Sequence, residues 1–154
     1  MNLENYFRQH IKNISSYEGV DPSSKLASES GIPKDKVIKL NANENPFGKE
    51  LGLGKQLSEI NIHEYPDPLQ KTLRTNLASY SGRKYEEIVA GSGSDELIDL
   101  LIRIFLEKGD ILIDVQPTFG MYEFSAQIQG AKVCSVSRRD DFEIDLDTIL
   151  HSVS

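Results

Sequence analysis

From residue 65 to residue 137 the apolar positions switch between two spacings, and the switching predicts strand–helix–strand–helix–strand. Ile88, Val89 and Ala90 form a short apolar run suited to a buried strand. Leu97, Leu100, Leu101, Ile104 and Phe105 then recur at i, i+3, i+4, i+7 and i+8, one apolar face of a helix, with Lys108-Gly109-Asp110 as its glycine stop. Ile111 to Val115 is a second continuous apolar strand interrupted only by Asp114. Gln116-Pro117 ends it, Met121, Phe124 and Ile128 carry the next helix face, Gly130 closes that helix, and Ala131 to Val136 form a third strand. Strands and helices joined by such short links predict right-handed crossovers and a parallel sheet.

Upstream the pattern is weaker. Asp67 as N-cap, Pro68 at the first helical position and Gln70 as the capping-box partner predict a helix bearing Leu69, Leu73, Leu77 and Tyr80 and closed near Gly82. Val37 to Leu40 is a short strand candidate. Residues 1–36 are polar and mixed: Tyr6, Phe7 and Ile11 fit one face of a short helix, while Gly19, Pro22, Gly31 and Pro33 break any long element. That segment reads as an arm lying on another surface or as a frayed terminus. At the other end, Phe142 to Asp147 reads as a strand or turn, with Asp147 placed to cap a last helix.

The links carry the candidate chemistry. Gly91-Ser92-Gly93-Ser94 allows a tight turn, and Ser92 and Asp95 stand in capping-box spacing, so a helix N-terminus with free amides would follow a loop lacking bulky side chains. Such a terminus suits a phosphate or carboxylate, although similar turns occur in α/β proteins that bind nothing there. It is a poor dinucleotide fingerprint, because Glu96 occupies the third glycine position. Asn41-Ala42-Asn43-Glu44-Asn45-Pro46-Phe47-Gly48 is either a loop that holds a polar ligand or an ordinary Asx-rich turn. Tyr65, fixed ahead of Pro66, is a rim packer or a placed phenol donor. The Gly91–Asp95 and Gln116–Tyr122 loops both follow strand C-termini, so they are expected to face one crevice.

Composition narrows the partners. The 154 residues suit one domain, and a net charge of −7 with no basic stripe argues against nucleic acid. Cys134 is the only cysteine and reads as a small core residue; with His10, His63 and His151 far apart, no metal set is expected. The N-terminus has no basic start followed by an apolar run, so no signal peptide is expected. The longest apolar stretch, Leu97 to Leu106, contains Asp99 and Arg103, which excludes it as a membrane span. A cytoplasmic location is expected.

Taken together, Leu40 to Gly48, Tyr65-Pro66-Asp67, Gly91-Ser92-Gly93-Ser94-Asp95-Glu96 and Gln116 to Tyr122 resemble the fold type I aminotransferases that use pyridoxal 5'-phosphate (PLP), most closely the histidinol-phosphate aminotransferases. The resemblance runs from about Tyr17 to Leu150. It implies the first part of the three-layer α/β sandwich of the PLP-binding large domain (residues 49–154), preceded by an N-terminal arm and substrate lid (1–48). It further implies that Gly93, Ser94 and Asp95 hold the PLP phosphate and that Phe119 stacks on the pyridine ring. Tyr65 would reach the cofactor of the other subunit in a homodimer, and Tyr17 and Asn43 would line the substrate site for a phosphorylated amine and a 2-oxo acid. The family's Schiff-base lysine, its aspartate to the pyridine nitrogen and its substrate-binding arginines would follow Ser154, so no catalytic residue is assigned within the chain and the 154 residues alone are expected to be inactive. Aromatic aminotransferases, threonine-phosphate decarboxylases and a non-catalytic phosphate-binding α/β module are the alternatives.

Overall fold

The structure, a computed structural model, describes residues 3–17, 19–45, 47 and 52–153. Pro46 and Gly48 of the asparagine-rich motif therefore lie outside the described residues. The chain forms two compact units, residues 1–16 with 68–154 and residues 17–67.

The first unit is built on a β–α–β arrangement. Strand β1 (Ile111–Gln116) pairs in parallel with β2 (Lys132–Ser137), with Ile111 opposite Lys132 and Gln116 opposite Ser137. Helix α5 (Met121–Gln129) connects them and ends at Gly130, whose φ of 86° requires glycine. Helix α4 (Ser94–Phe105) packs on α5. Their meeting point is the core: Ile98 and Ile102 of α4, Ala126 of α5 and Ala131, flanked by Leu106, Leu112 and Val133. Ala126 is 0% exposed, which lets the two helix axes approach closely. Helices α3 (Lys71–Ser81) and α6 (Leu146–Val153) complete this unit, along with short 3₁₀ turns at Leu3–Tyr6, Ile11–Asn13 and Tyr85–Glu87. The segment 3–16 is tied down by His10, whose Nε2 lies 3.0 Å from the carbonyl of Ile128.

The second unit holds α1 (Ser23–Ser30), a 3₁₀ turn at Lys34–Lys36 and α2 (Gly54–Ser58). Val37 to Leu40 is extended but unpaired, with Ile38 and Leu40 exposed, so the strand expected there does not form.

Several expectations are corrected in the first unit. Two strands pair among the described residues, not three: Ile88 to Ala90 is extended and unpaired, and Val89 is 73% exposed. An apolar run needs neighbouring strands to become one, and none lies beside it. Helix α3 starts at Lys71, preceded by Gln70 in the left-handed region (φ 50°), so Asp67 does not cap it. Its buried residue is Ala78, while Leu69, Leu73 and Tyr80 are exposed.

Helix α4 ends at Phe105, earlier than expected, and Gly109 (φ 100°) serves the following turn. Its predicted stripe is also rotated: Leu100, Leu101, Ile104 and Phe105 are exposed, and Ile98 and Ile102 are buried. Its seven apolar residues span a broad arc, opposite a polar side formed by Asp95, Glu96 and the Asp99–Arg103 pair at 2.8 Å, so periodicity alone does not single out which part of that arc meets α5.

Asp145, not Asp147, caps α6. The amide of Thr148 donates to Asp145 Oδ1 at 3.2 Å, and Arg139 Nη2 lies 3.4 Å from the same oxygen. The Thr148 hydrogen bonds, with a smaller contribution from Arg139, hold the Asp145 carboxyl below its ordinary value of 3.8. A carboxyl lowered in this way stabilises the fold above its unfolded-state value, and that stabilisation is lost as the pH falls through the lower folded-state value. Amide exchange at Thr148 should therefore accelerate as the pH drops below 3.8, after correction for intrinsic rates, and Asp145→Asn should abolish that dependence. A flat profile in the parent would remove Asp145 as the cap.

The core makes a second prediction. Ala126→Leu should lower the unfolding free energy by about 1–3 kcal/mol, read by urea denaturation, because no space is left for three more carbons. An unchanged midpoint would mean that α4 and α5 do not pack there.

Candidate functional site

Two glycines shape the turn before α4, for different reasons. Gly93 is the N-cap residue with φ 92° and ψ 175°, a conformation open to glycine and strained for other residues. A Cβ there would meet nothing within 4 Å, so the space in front of it is open. Gly91 is the reverse case: a Cβ there would stand 2.8 Å from Glu96 Oε2 and 3.1 Å from Leu97 Cδ2.

The capping box expected between Ser92 and Asp95 does not form, and no side chain caps α4. Instead Glu96, one residue later, folds back and its carboxylate accepts the amide of Ser92. Among the described residues, the main-chain amides of Gly93, Ser94 and Asp95 have no acceptor within the chain. Three consecutive free N–H groups at the positive end of a twelve-residue helix, with open space at Gly93, form an arrangement suited to an anion. The acidic Asp95 and Glu96 in the same turn also favour the positive helix end, and Glu96 is already engaged with Ser92.

Phe119 lies in the loop between β1 and α5, which begins with a cis Gln116–Pro117 bond. Its ring meets Tyr122 edge-on at 6.3 Å with an interplanar angle of 88°, leaving the side chain partly exposed. The remaining expected site residues lie in the other compact unit. Tyr65 is fully exposed and Tyr17 is exposed. Asn43 takes a left-handed conformation (φ 51°), which asparagine tolerates, and with Val37, Ile38, Lys39, Leu40 and Glu44 lines a cavity of about 470 Å³. Lys39 pairs with Glu44 at 3.1 Å beside it. Among the described residues no group of three histidine, cysteine or acidic side chains could hold a metal ion.

Two residues near the turn escaped the sequence reading. Glu96 is one; it stands four residues after Ser92, whose amide its carboxylate accepts, whereas capping-box spacing points to Asp95. Arg74 of α3 is the other. Its Nε donates to the carbonyl of Ile88 at 2.9 Å and its Nη2 to the carbonyl of Tyr85 at 3.1 Å. Nη1 reaches the Tyr85 hydroxyl at 3.0 Å, and the guanidinium lies 4.0 Å from the Tyr85 ring centroid. One arginine on a helix carries no sequence mark of such a role.

Comparison with known proteins now bears on this geometry. The model of the aminotransferase class I and II family matches residues 35–154. The chain belongs to the class I and II aminotransferase family. The histidinol-phosphate aminotransferases of Nicotiana tabacum (chloroplastic) and Roseiflexus castenholzii are 41% and 38% identical to it, over 96% and 95% of this chain. The chain spans 36% and 41% of the length of those relatives. Among solved structures, the histidinol-phosphate aminotransferase of Sinorhizobium meliloti, in complex with pyridoxal-5'-phosphate, is similar with a TM-score of 0.74 at 22% identity, covering 96% of this chain and 39% of that one. An archaeal alanine:glyoxylate aminotransferase gives a TM-score of 0.68 at 19% identity. These likenesses show the fold as that of fold type I aminotransferases, represented by part of the large-domain α/β sandwich.

In this aminotransferase-family chain, Gly93→Ala should lower the unfolding free energy by about 1–3 kcal/mol through backbone strain, since its Cβ meets no neighbour. Chemical denaturation measures it, and a variant as stable as the parent would mean that α4 does not begin as described.

Proposed function

We propose that the full-length protein is a PLP-dependent aminotransferase that moves the amino group of histidinol phosphate to 2-oxoglutarate. The observation that carries this reading is the run of free amides at Gly93, Ser94 and Asp95, in a chain of a family whose similar members are histidinol-phosphate aminotransferases. PLP, when bound, supplies an electron sink for the bonds at the amine-bearing carbon. The residues of this chain bind and orient. The Gly93–Asp95 amides would hold the cofactor phosphate with donors that keep their protons at every physiological pH. The ring of Phe119 would lie against the pyridine and exclude water from that face.

The segment 1–48 would act as arm and lid, with Tyr17 and Asn43 toward the substrate. Tyr65, an aromatic ring fully exposed among the described residues, would donate its hydroxyl to the cofactor phosphate of a second copy, which makes the protein a homodimer. A cytoplasmic location suits the single thiol of Cys134, half-buried in β2.

Mixing the full-length protein with PLP should give a protein-bound absorption band that shifts when histidinol phosphate is added. No band would remove the reading. Tyr65→Phe should weaken PLP binding by about tenfold, the worth of one hydrogen bond to a charged group, without altering the fold. Unchanged affinity in a dimer would free Tyr65 from that role.

A further inference from the structure

We propose that Arg74 and Glu96 are positioning residues that hold the 88–93 segment from both ends and so keep the Gly93–Asp95 amides open to a phosphate group. The proposal rests on the reading of that turn as the cofactor-phosphate site.

Residues 88–91 have no strand partner, and Val89 is largely exposed. Between the 3₁₀ turn at Tyr85–Glu87 and the start of α4, the Ile88 amide bonds back to the Tyr85 carbonyl at 3.2 Å. From Val89 to Gly93 no backbone–backbone hydrogen bond is made among the described residues. Two side chains take over that duty. Behind, Arg74 grips the Tyr85 and Ile88 carbonyls with two edges of one planar guanidinium while the Tyr85 ring covers its face. In front, the Glu96 carboxylate takes the Ser92 amide.

Each grip has a built accommodation. Arg74 is further fixed by the Tyr85 hydroxyl and, at 3.4 Å, by the Leu69 carbonyl, so its fork is fully determined from α3. Glu96 folds back only because position 91 has no side chain, its Oε2 standing 2.8 Å from where a Cβ would be. Gly91 thus serves the glutamate, and Gly93 serves the turn. The carboxylate also consumes the one amide of the turn, Ser92, that precedes the three free ones. The amides of Gly93, Ser94 and Asp95, which follow it, stay free.

A positioning role differs from plain structural support in what it discriminates. PLP and pyridoxal share a ring and differ by the phosphate. If the two grips aim the phosphate turn, their loss weakens PLP and leaves pyridoxal binding unchanged. A variant that merely loosens the fold weakens both.

The experiment measures the affinities of the full-length protein for PLP and for pyridoxal by fluorescence titration. The variants are Glu96→Ala, Glu96→Gln, Arg74→Ala, Arg74→Lys and Gly91→Ala, with Ile102→Val as a core control and Gly93→Val as the turn control. Glu96→Ala and Arg74→Ala should each reduce the preference for PLP over pyridoxal by about tenfold. Glu96→Gln, which keeps an acceptor, should recover most of it, and Arg74→Lys, which loses the fork, should not. Gly91→Ala should behave as Glu96→Ala. Ile102→Val should leave the ratio unchanged. If the Arg74 and Glu96 variants keep the parental ratio while Gly93→Val loses it, the two grips are overturned and the phosphate turn stands. If Gly93→Val also keeps the parental ratio, the phosphate turn itself is wrong.

Discussion

Three main-chain amides left without acceptors are the constraint on which this chain is organised. A helix always leaves its first amides unpaired, and a buried or ordinary surface helix satisfies them with a cap. Helix α4 has no side-chain cap, its N-cap is a glycine at φ 92°, and the Glu96 carboxylate is engaged with the Ser92 amide. The orphaned donors at Gly93, Ser94 and Asp95 therefore present a fixed partial positive charge to whatever lies in the open space ahead of them.

The rest of the first unit can be read as support for that terminus. Ile98 and Ile102 seat α4 on Ala126, one helical turn and two turns beyond the free amides. Helix α5 is fixed in turn by the parallel pair β1 and β2, whose register continues beyond the strands through the Lys132 amide to Asp110 and the Arg138 amide to Gln116. The loop that opens at the cis Gln116–Pro117 bond carries Phe119 at the carboxyl end of β1, the end at which parallel sheets hold their ligands.

What the sequence made legible follows from how local each signal is. The β1–α5–β2 arrangement was readable because its strands are continuous apolar runs and its helix is bounded by Pro117 and Gly130. The turn at Gly91–Asp95 was readable because glycine and serine spacing reports backbone geometry directly. The pairing of Ile88–Ala90 was not, since pairing is a property of neighbours and none lies beside it among the described residues. The buried face of α4 was not, because its seven apolar residues span a broad arc and only the position of Ala126 decides between them. Glu96 and Arg74 were missed because their partners are main-chain groups, which leave no trace in residue identity.

Family membership adds a frame but not the site. The chain covers 36% and 41% of the length of the two curated relatives described above. The most direct measurement is the 1H–15N spectrum of the full-length protein titrated with PLP. The largest amide shifts should fall on Gly93, Ser94 and Asp95, with the Ser92 amide, held by Glu96, nearly still. Shifts confined to other residues, with those three amides unmoved, would contradict the account.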